Sequence, residues 1–529
     1  MKRNSLVLLG LIPALMLVSP TKVVKADSIT NTPYNINFQM GANASEMRFN
    51  WFSLYNNGSE LEIAKANDVQ NGQFPSNSII TGSATAVTAT ASVEDKPGNP
   101  NQPAVDAATG KNEYANRAAA TGLAPSTKYI YRVGDGTNWS PNYSFTTGNP
   151  TAGFSFGVFG DPQIGAFDSN KHSSLPHASL ADDQSGWANT LKEVTSNHVD
   201  FLFSLGDQVN NYDDLSKQQS EYKAFFNPDS NQNYFQDYPL VAFEGNHDHQ
   251  MGTYYSFHYN HPNLSTLGQS SNSNVDNNDG DYWFTYGNVL FMVLNANDPL
   301  DTAAHDQFMQ QAISANPNVK WKVAAWHQSA YSEANHSDAS SADDPIMTIR
   351  KTWPKLMDKY GIDVVLQGHD HEYTRTFQMY NGVPVNTAKT NSVTNPKGTV
   401  YFTLDSGSGS KYYDFKSTSD HTFSSVFWQQ YVPTYSYVTM NDSKFTINTV
   451  RTDTGASIDN YSITKTSANS AQGTTSTASN STSTNSAAQV QNPKTGDNNS
   501  SNLALASIGG FSGIIAITAI GAIIYKRRK

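Results

Sequence analysis

LQGHDHEYTRT, residues 366–376, closes an apolar run with two histidines, His369 and His371, one aspartate apart and followed directly by Glu372 and Tyr373. In an extended segment residues i and i+2 point the same way, so both imidazoles can face one point from a single backbone stub. Two rings facing one point suit a metal ion. An isolated HxH is more often a solvated pair in a polar turn, so the rest of the chain has to supply the partners.

Four other apolar runs end in the same way. FSFGVFGDPQ (154–163) closes on Asp161 and Gln163, VDFLFSLGDQVNN (199–211) on Asp207, YPLVAFEGNHDH (238–249) on Asn246, His247, Asp248 and His249, and VKWKVAAWHQ (319–328) on His327. From about Ala152 strand-like runs alternate with helical patterns: Trp187, Leu191 and Val194 recur at i, i+4 and i+7, and residues 345–360 are amphipathic and stopped by Gly361. The alternation predicts an α/β body, β-sheets flanked by helices, spanning residues 150–464. In α/β sheets ligands bind outside the carboxyl ends of the strands, where all five clusters fall. Any one cluster reads as an N-cap aspartate or a satisfied turn histidine; five in succession read as a shared metal site. Gly160, Gly206, Gly245 and Gly368 sit just before these residues, where a chain leaving a strand is expected to need unusual dihedrals.

Residues 27–149 follow a different grammar. MRFNWFSL (47–54), SATAVTATASV (83–93) and KYIYRVGDGTNWSPNYSFTT (128–147) are short β patterns with turn signals, which predict an all-β sandwich with a packing or spacer role. The chain has 34 basic and 45 acidic residues and a net charge of −11, which argues against nucleic acid as a main partner. It has no cysteine, so a metal site must be built from His, Asp, Asn and similar ligands.

Both ends read as addresses. Residues 1–26 combine Lys2 and Arg3, an apolar run and a small-residue cleavage site at Ala26, the pattern of a secretory signal peptide. Residues 465–491 are rich in Ser, Thr and Asn without aromatics, as expected of a disordered tether. Residues 492–529 hold NPKTG, an apolar span and a basic tail; this order resembles the sortase sorting signal of Gram-positive surface proteins, with Asn492 in place of the usual Leu. It implies cleavage between Thr495 and Gly496, sortase and peptidoglycan as partners, membrane contact only through the span before sorting, and a wall-anchored body facing outward. Uncleaved, the span serves as a membrane anchor.

GDPQ, GDQ, GNHD, AAWH and GHDHEY, in that order, resemble the calcineurin-type metallophosphoesterase superfamily. The preceding β region, the segment PKGTVYFTLDSGSGS (396–410) and the layout resemble its purple acid phosphatase branch, in which a fibronectin type III-like domain comes first; the likeness runs from about residue 35 to 464. It implies two ions, iron, manganese or zinc, bridged by Asp207. Asp161 and His371 would complete one ion's shell; Asn246, His327 and His369 the other's. His247 would face the substrate, with Asp248 orienting its ring. His336 matches a further substrate-side histidine, although an ordinary solvated loop residue fits its polar segment equally well. The family's colour-giving tyrosine is replaced by Asn210, and the histidine of the common DxH motif by Gln163, either a ligand or a donor behind the ligands. A colourless enzyme with a loosely held first ion is expected. The chemistry implied is hydrolysis of phosphate monoesters by a metal-bound hydroxide. The alternatives are a phosphodiesterase or nucleotidase on the same site, or a catalytically inactive wall-anchored adhesin.

Overall fold

The computed structural model describes residues 32–89, 102–169, 177–211, 214–249, 254–268, 280–297, 301–334, 336, 345–416 and 421–466. The leader, the sorting signal and the tether beyond Thr466 lie outside these residues. Among the described residues no helix is long and apolar enough to cross a membrane.

The first region is an all-β sandwich of two four-stranded antiparallel sheets. One runs in the order Tyr34–Met40, Met47–Ser53, Tyr114–Ala120, Ser83–Ala86; the other in the order Tyr143–Thr146, Lys128–Gly134, Glu60–Lys65, Ile79–Thr81. Alternation sends Met47, Phe49 and Trp51 inward, and Phe38 and Phe49 meet Tyr131 and Phe145 of the opposite sheet. The other face of Met47–Ser53 is also covered, because Phe52 packs on Tyr254 and stacks on His258 of the body. Both sides of the strand are therefore buried.

The α/β body holds two mixed seven-stranded sheets. Phe154–Phe159, Phe201–Ser204 and Leu240–Ala242 are parallel neighbours in one. Val289–Val293, Trp321–Ala325, Val364–Gln367 and Val400–Thr403 are parallel neighbours in the other. The five strands that precede the candidate ligands are thus divided between two sheets, three and two, rather than lying in one. Large apolar side chains on both inner faces drive the sheets together: Phe156, Phe201 and Phe203 all meet Phe291 across the gap. Helices close the outer faces. Leu180–Thr195, capped by the Ser179 hydroxyl, presents Trp187, Leu191 and Val194 fully buried. Pro345–Tyr360 buries Ile349, Trp353 and Met357 and ends where Gly361 turns left-handed at φ 60°.

The carboxyl ends of the strands are laced together by backbone bonds. Leu205 donates to the Phe159 carbonyl (3.0 Å), Gln163 to Asp207 (2.7 Å) and Gly368 to His327 (3.0 Å). These bonds hold the tips of four loops in register at one place.

Candidate metal centre

The loops bring the expected residues together. His371 Nε2 lies 3.2 Å from Asp161 Oδ2. His327 Nε2 is 3.2 Å from Asn246 Oδ1, 3.3 Å from Asp207 Oδ2 and 3.2 Å from His369 Nδ1. Asp161 Oδ2 and His327 Nε2 are 4.0 Å apart and join the two groups. The geometry therefore divides into an Asp161–His371 pair and an Asn246–His327–His369 trio, with Asp207 on the trio and its backbone tied to Gln163.

The opening histidines do not achieve this by an extended segment. His369 and His371 both have positive φ, 76° and 44°, and Asp370 between them turns away to His336 and Ser332. Asp207 (φ 43°) and Gln163 (φ 36°) are left-handed too. Four non-glycine residues in this costly region, all at one spot, mark a backbone bent to aim side chains. Of the four preceding glycines only Gly206 has a positive φ. The other three are needed for space: a Cβ on Gly245 would lie 2.1 Å from Asp207 Oδ1, one on Gly368 2.3 Å from Asp161 Oδ1, and one on Gly160 2.4 Å from the Leu404 carbonyl.

Backbone carbonyls fix the rings. Nδ1 of His327 pairs with the Leu205 carbonyl (2.8 Å) and Nδ1 of His371 with that of Lys411 (2.9 Å), so each turns Nε2 toward the carboxylates. His247 Nδ1 is held by the Asn210 carbonyl (2.6 Å), not by Asp248 as expected. Asp248 is buried beneath, taken up by the amides of Gly245 and Gln208 and the hydroxyl of Tyr222. Burial and the Asp207 charge push its pKa up to about 8.

The electrostatics favour a cation. Burial would raise the Asp207 and Asp161 pKa values, but the surrounding imidazoles hold both below the usual carboxylate range. Burial likewise opposes a charge on His327, yet Asp207 and Asp161 lift it to about 10, while burial and the neighbouring rings of His327 and His336 press His369 down to about 3. Two buried carboxylates thus face the imidazoles and call for positive charge between them, which a bound metal ion would supply. Gln163 Oε1 is buried without a hydrogen-bond partner and Asp161 Oδ2 is buried facing the His371 ring, as ligand atoms would be, and the oxygen and imidazole donors suit iron, manganese or zinc.

His336 is drawn into the site. Its Nδ1 is 2.5 Å from Asp370 and its ring lies 4.6 Å from that of His369, on the rim. Asn210, read above only as a departure, is structural here. Its Oδ1 accepts from Gln163 Nε2 (3.1 Å) while its carbonyl holds His247. Tyr413 and Lys411 were not anticipated. The Tyr413 ring packs on His371 (5.1 Å) and His336 (5.4 Å), and Lys411 supplies the carbonyl under His371. Their only signal was the Ser-Gly run just before them.

Residues 154–373 match the calcineurin-like phosphoesterase family, and residues 33–147 match the purple acid phosphatase N-terminal domain. In both regions the chain is similar to the purple acid phosphatases and to the wider metallophosphoesterase superfamily. It is 24% identical over 327 residues to "probable inactive purple acid phosphatase 27" of Arabidopsis thaliana, covering 58% of this chain and 50% of that one. To purple acid phosphatase 15 of the same plant it is 26% identical over 283 residues, 49% of each chain. The chain thus spans about half the length of these curated relatives. A purple acid phosphatase from yellow lupin seeds has a similar fold, with a TM-score of 0.62 at 17% identity over 85% of this chain and 78% of that one.

Proposed function

We propose that the chain is a metal-dependent phosphoric ester hydrolase acting on phosphate monoesters. The observation that carries this reading is the buried cluster in which Asp207, His327 and His369 bring their ligand atoms within 4.8 Å of one another, with Asp161 and His371 alongside. Asp161, Gln163, His371 and Asp207 would hold one ion, and Asp207, Asn246, His327 and His369 the other. Two such ions supply Lewis acidity, which acidifies a water and neutralises phosphoryl oxygens.

The protein's own groups do the rest. Asn210 fixes Nδ1 of His247, which leaves Nε2 as the atom that exchanges a proton at the substrate. The His247 amide donates to Asp207 Oδ1 (2.9 Å), so ring and carboxylate keep a fixed spacing. His336, braced by Asp370, offers a second polar group at the rim. Tyr413 packs against both rim and ligand rings, narrowing the approach for water.

A purified chain loaded in turn with manganese, iron or zinc should hydrolyse an aryl monophosphate faster than the matching diester or ATP. Faster turnover of the diester or ATP would make it a phosphodiesterase or nucleotidase. One observation favours a second reading, an inactive wall-anchored adhesin. Gln163 and Asn210, two amides where the family has stronger ligands, are bonded to each other. No turnover of any ester with any metal would establish that reading. Wall attachment through Thr495 is a separate proposal; cell fractionation should move a Thr495→Ala chain out of the wall fraction.

A further inference from the structure

A second polar pocket lies away from the metal centre, where the sandwich meets the body. In the antiparallel pair of Met47–Ser53 with Tyr114–Ala120, Arg48 is opposite Ala119 and Arg117 opposite Asn50. Cross-strand partners share a face, so the two arginines are diagonal neighbours on one side of the sheet. That side meets the body: Arg117 donates to the Ser256 carbonyl (2.5 Å), and Arg48 to Asn260 Oδ1 (3.3 Å). Between them is a pocket of about 320 Å³ lined by both arginines, Asn260, His261 and Asn263, and among the described residues no carboxylate lines it.

Two like charges side by side in a chain of net charge −11 need a reason. Glu46 meets one of them at 3.5 Å from outside the pocket. Both guanidinium charges also reach the His261 ring, which burial first and then Arg117 and Arg48 press down to about 3, so the ring is neutral and the positive charge facing the pocket is that of the two arginines. Planar guanidinium forks facing one space fit the oxygens of a tetrahedral oxyanion, and a guanidinium pairs with phosphate by parallel hydrogen bonds.

We propose that this pocket binds phosphate, either the inorganic ion or the phosphoryl end of a small ester, and that the bound anion ties the sandwich to the body. The anion site stands on its own residues. The choice of phosphate among oxyanions rests on the proposed hydrolase reading, since phosphate is that reaction's product. A ligand touching both regions should stabilise the folded chain by mass action.

The test uses the full chain stripped of metal by a chelator, as wild type and as Asp207→Asn, so that no ion can hold phosphate at the metal centre. Inorganic phosphate and glycerol phosphate are titrated by calorimetry and by the melting temperature. Binding in both backgrounds, weakened about tenfold or more by Arg48→Met and less by Arg48→Lys, is expected. Equal binding of the two probes would name the free ion as occupant, and tighter binding of the ester would name the phosphoryl end of an organic molecule; either sustains the proposal. Arg117→Met also loses the tie to Ser256, so Arg48 carries the decision. No phosphate-dependent heat or melting shift, or binding unchanged in Arg48→Met, overturns it, whatever the hydrolase assay shows.

Discussion

Gly245→Ala isolates the geometry of the metal centre from everything else. Gly245 does not have a left-handed φ, so alanine adds no backbone strain there. Its new Cβ, however, would stand 2.1 Å from Asp207 Oδ1 and 2.2 Å from the Asp207 amide, against a floor of 3.0 Å for real contacts, so one side must move by about 0.9 Å. A displacement of about 1 Å at a positioned catalytic group costs on the order of 10²-fold in rate, or about 2.7 kcal/mol of transition-state stabilisation. kcat/KM of the metal-loaded chain on an aryl monophosphate should therefore fall about 100-fold, with weaker metal retention. Gly122→Ala is the control. Its φ is 69° with nothing within 4 Å of the added Cβ, so it should lower stability by about 1 kcal/mol and leave activity alone. A Gly245→Ala chain that hydrolyses at the wild-type rate with its full metal content would refute the claim that Asp207 must sit where it does.

Asn210→Ala releases the Gln163 amide and should weaken metal binding by about 10–100-fold, read by titration against a competing chelator; unchanged affinity would mean that Gln163 holds no ion. Glu221 is buried against the amides of Asn211 (2.7 Å) and Asn210 (3.0 Å), and burial pushes its pKa up to about 8. The folded chain keeps a proton there that the unfolded chain releases near 4.5, so stability falls as pH rises between these values and is level above them. Glu221→Gln should remove that fall, making the variant more stable than wild type above about pH 8 and little different near pH 5 in denaturant titrations; parallel pH profiles would contradict it. Trp187 is fully buried, edge-on to Phe159 (5.0 Å) and stacked on Phe225 (5.6 Å). Trp187→Ala should cost about 3–5 kcal/mol of unfolding free energy, and a loss under about 1 would show that this helix does not anchor the body.

That these loops meet at one candidate site was legible because the chemistry restricts residue types. Asp161, Asp207, Asn246, His327, His369 and His371 each follow an apolar run, and few other roles put carboxylates and imidazoles at five such ends in one chain. The helices at Trp187 and Trp353 were legible from periodicity alone. The split of the strands into two sheets was not, because sheet membership is decided by long-range pairing such as Phe156 with Phe291. The carbonyl contacts of Asn210 to His247 and of Lys411 to His371 escaped for another reason: any residue carries such a group. Asp248 misled because its neighbour in sequence, His247, points elsewhere. The glycines were noticed but misjudged, since three of the four serve close approach of a carboxylate or carbonyl rather than a left-handed turn.

The central claim is that five loops hold two ions around Asp207. Elemental analysis of the purified chain after metal loading and desalting tests it most directly. The account predicts two ions per chain, with loss of at least one in Asp207→Asn. One ion or none in the wild type, or two ions undiminished in Asp207→Asn, would contradict it.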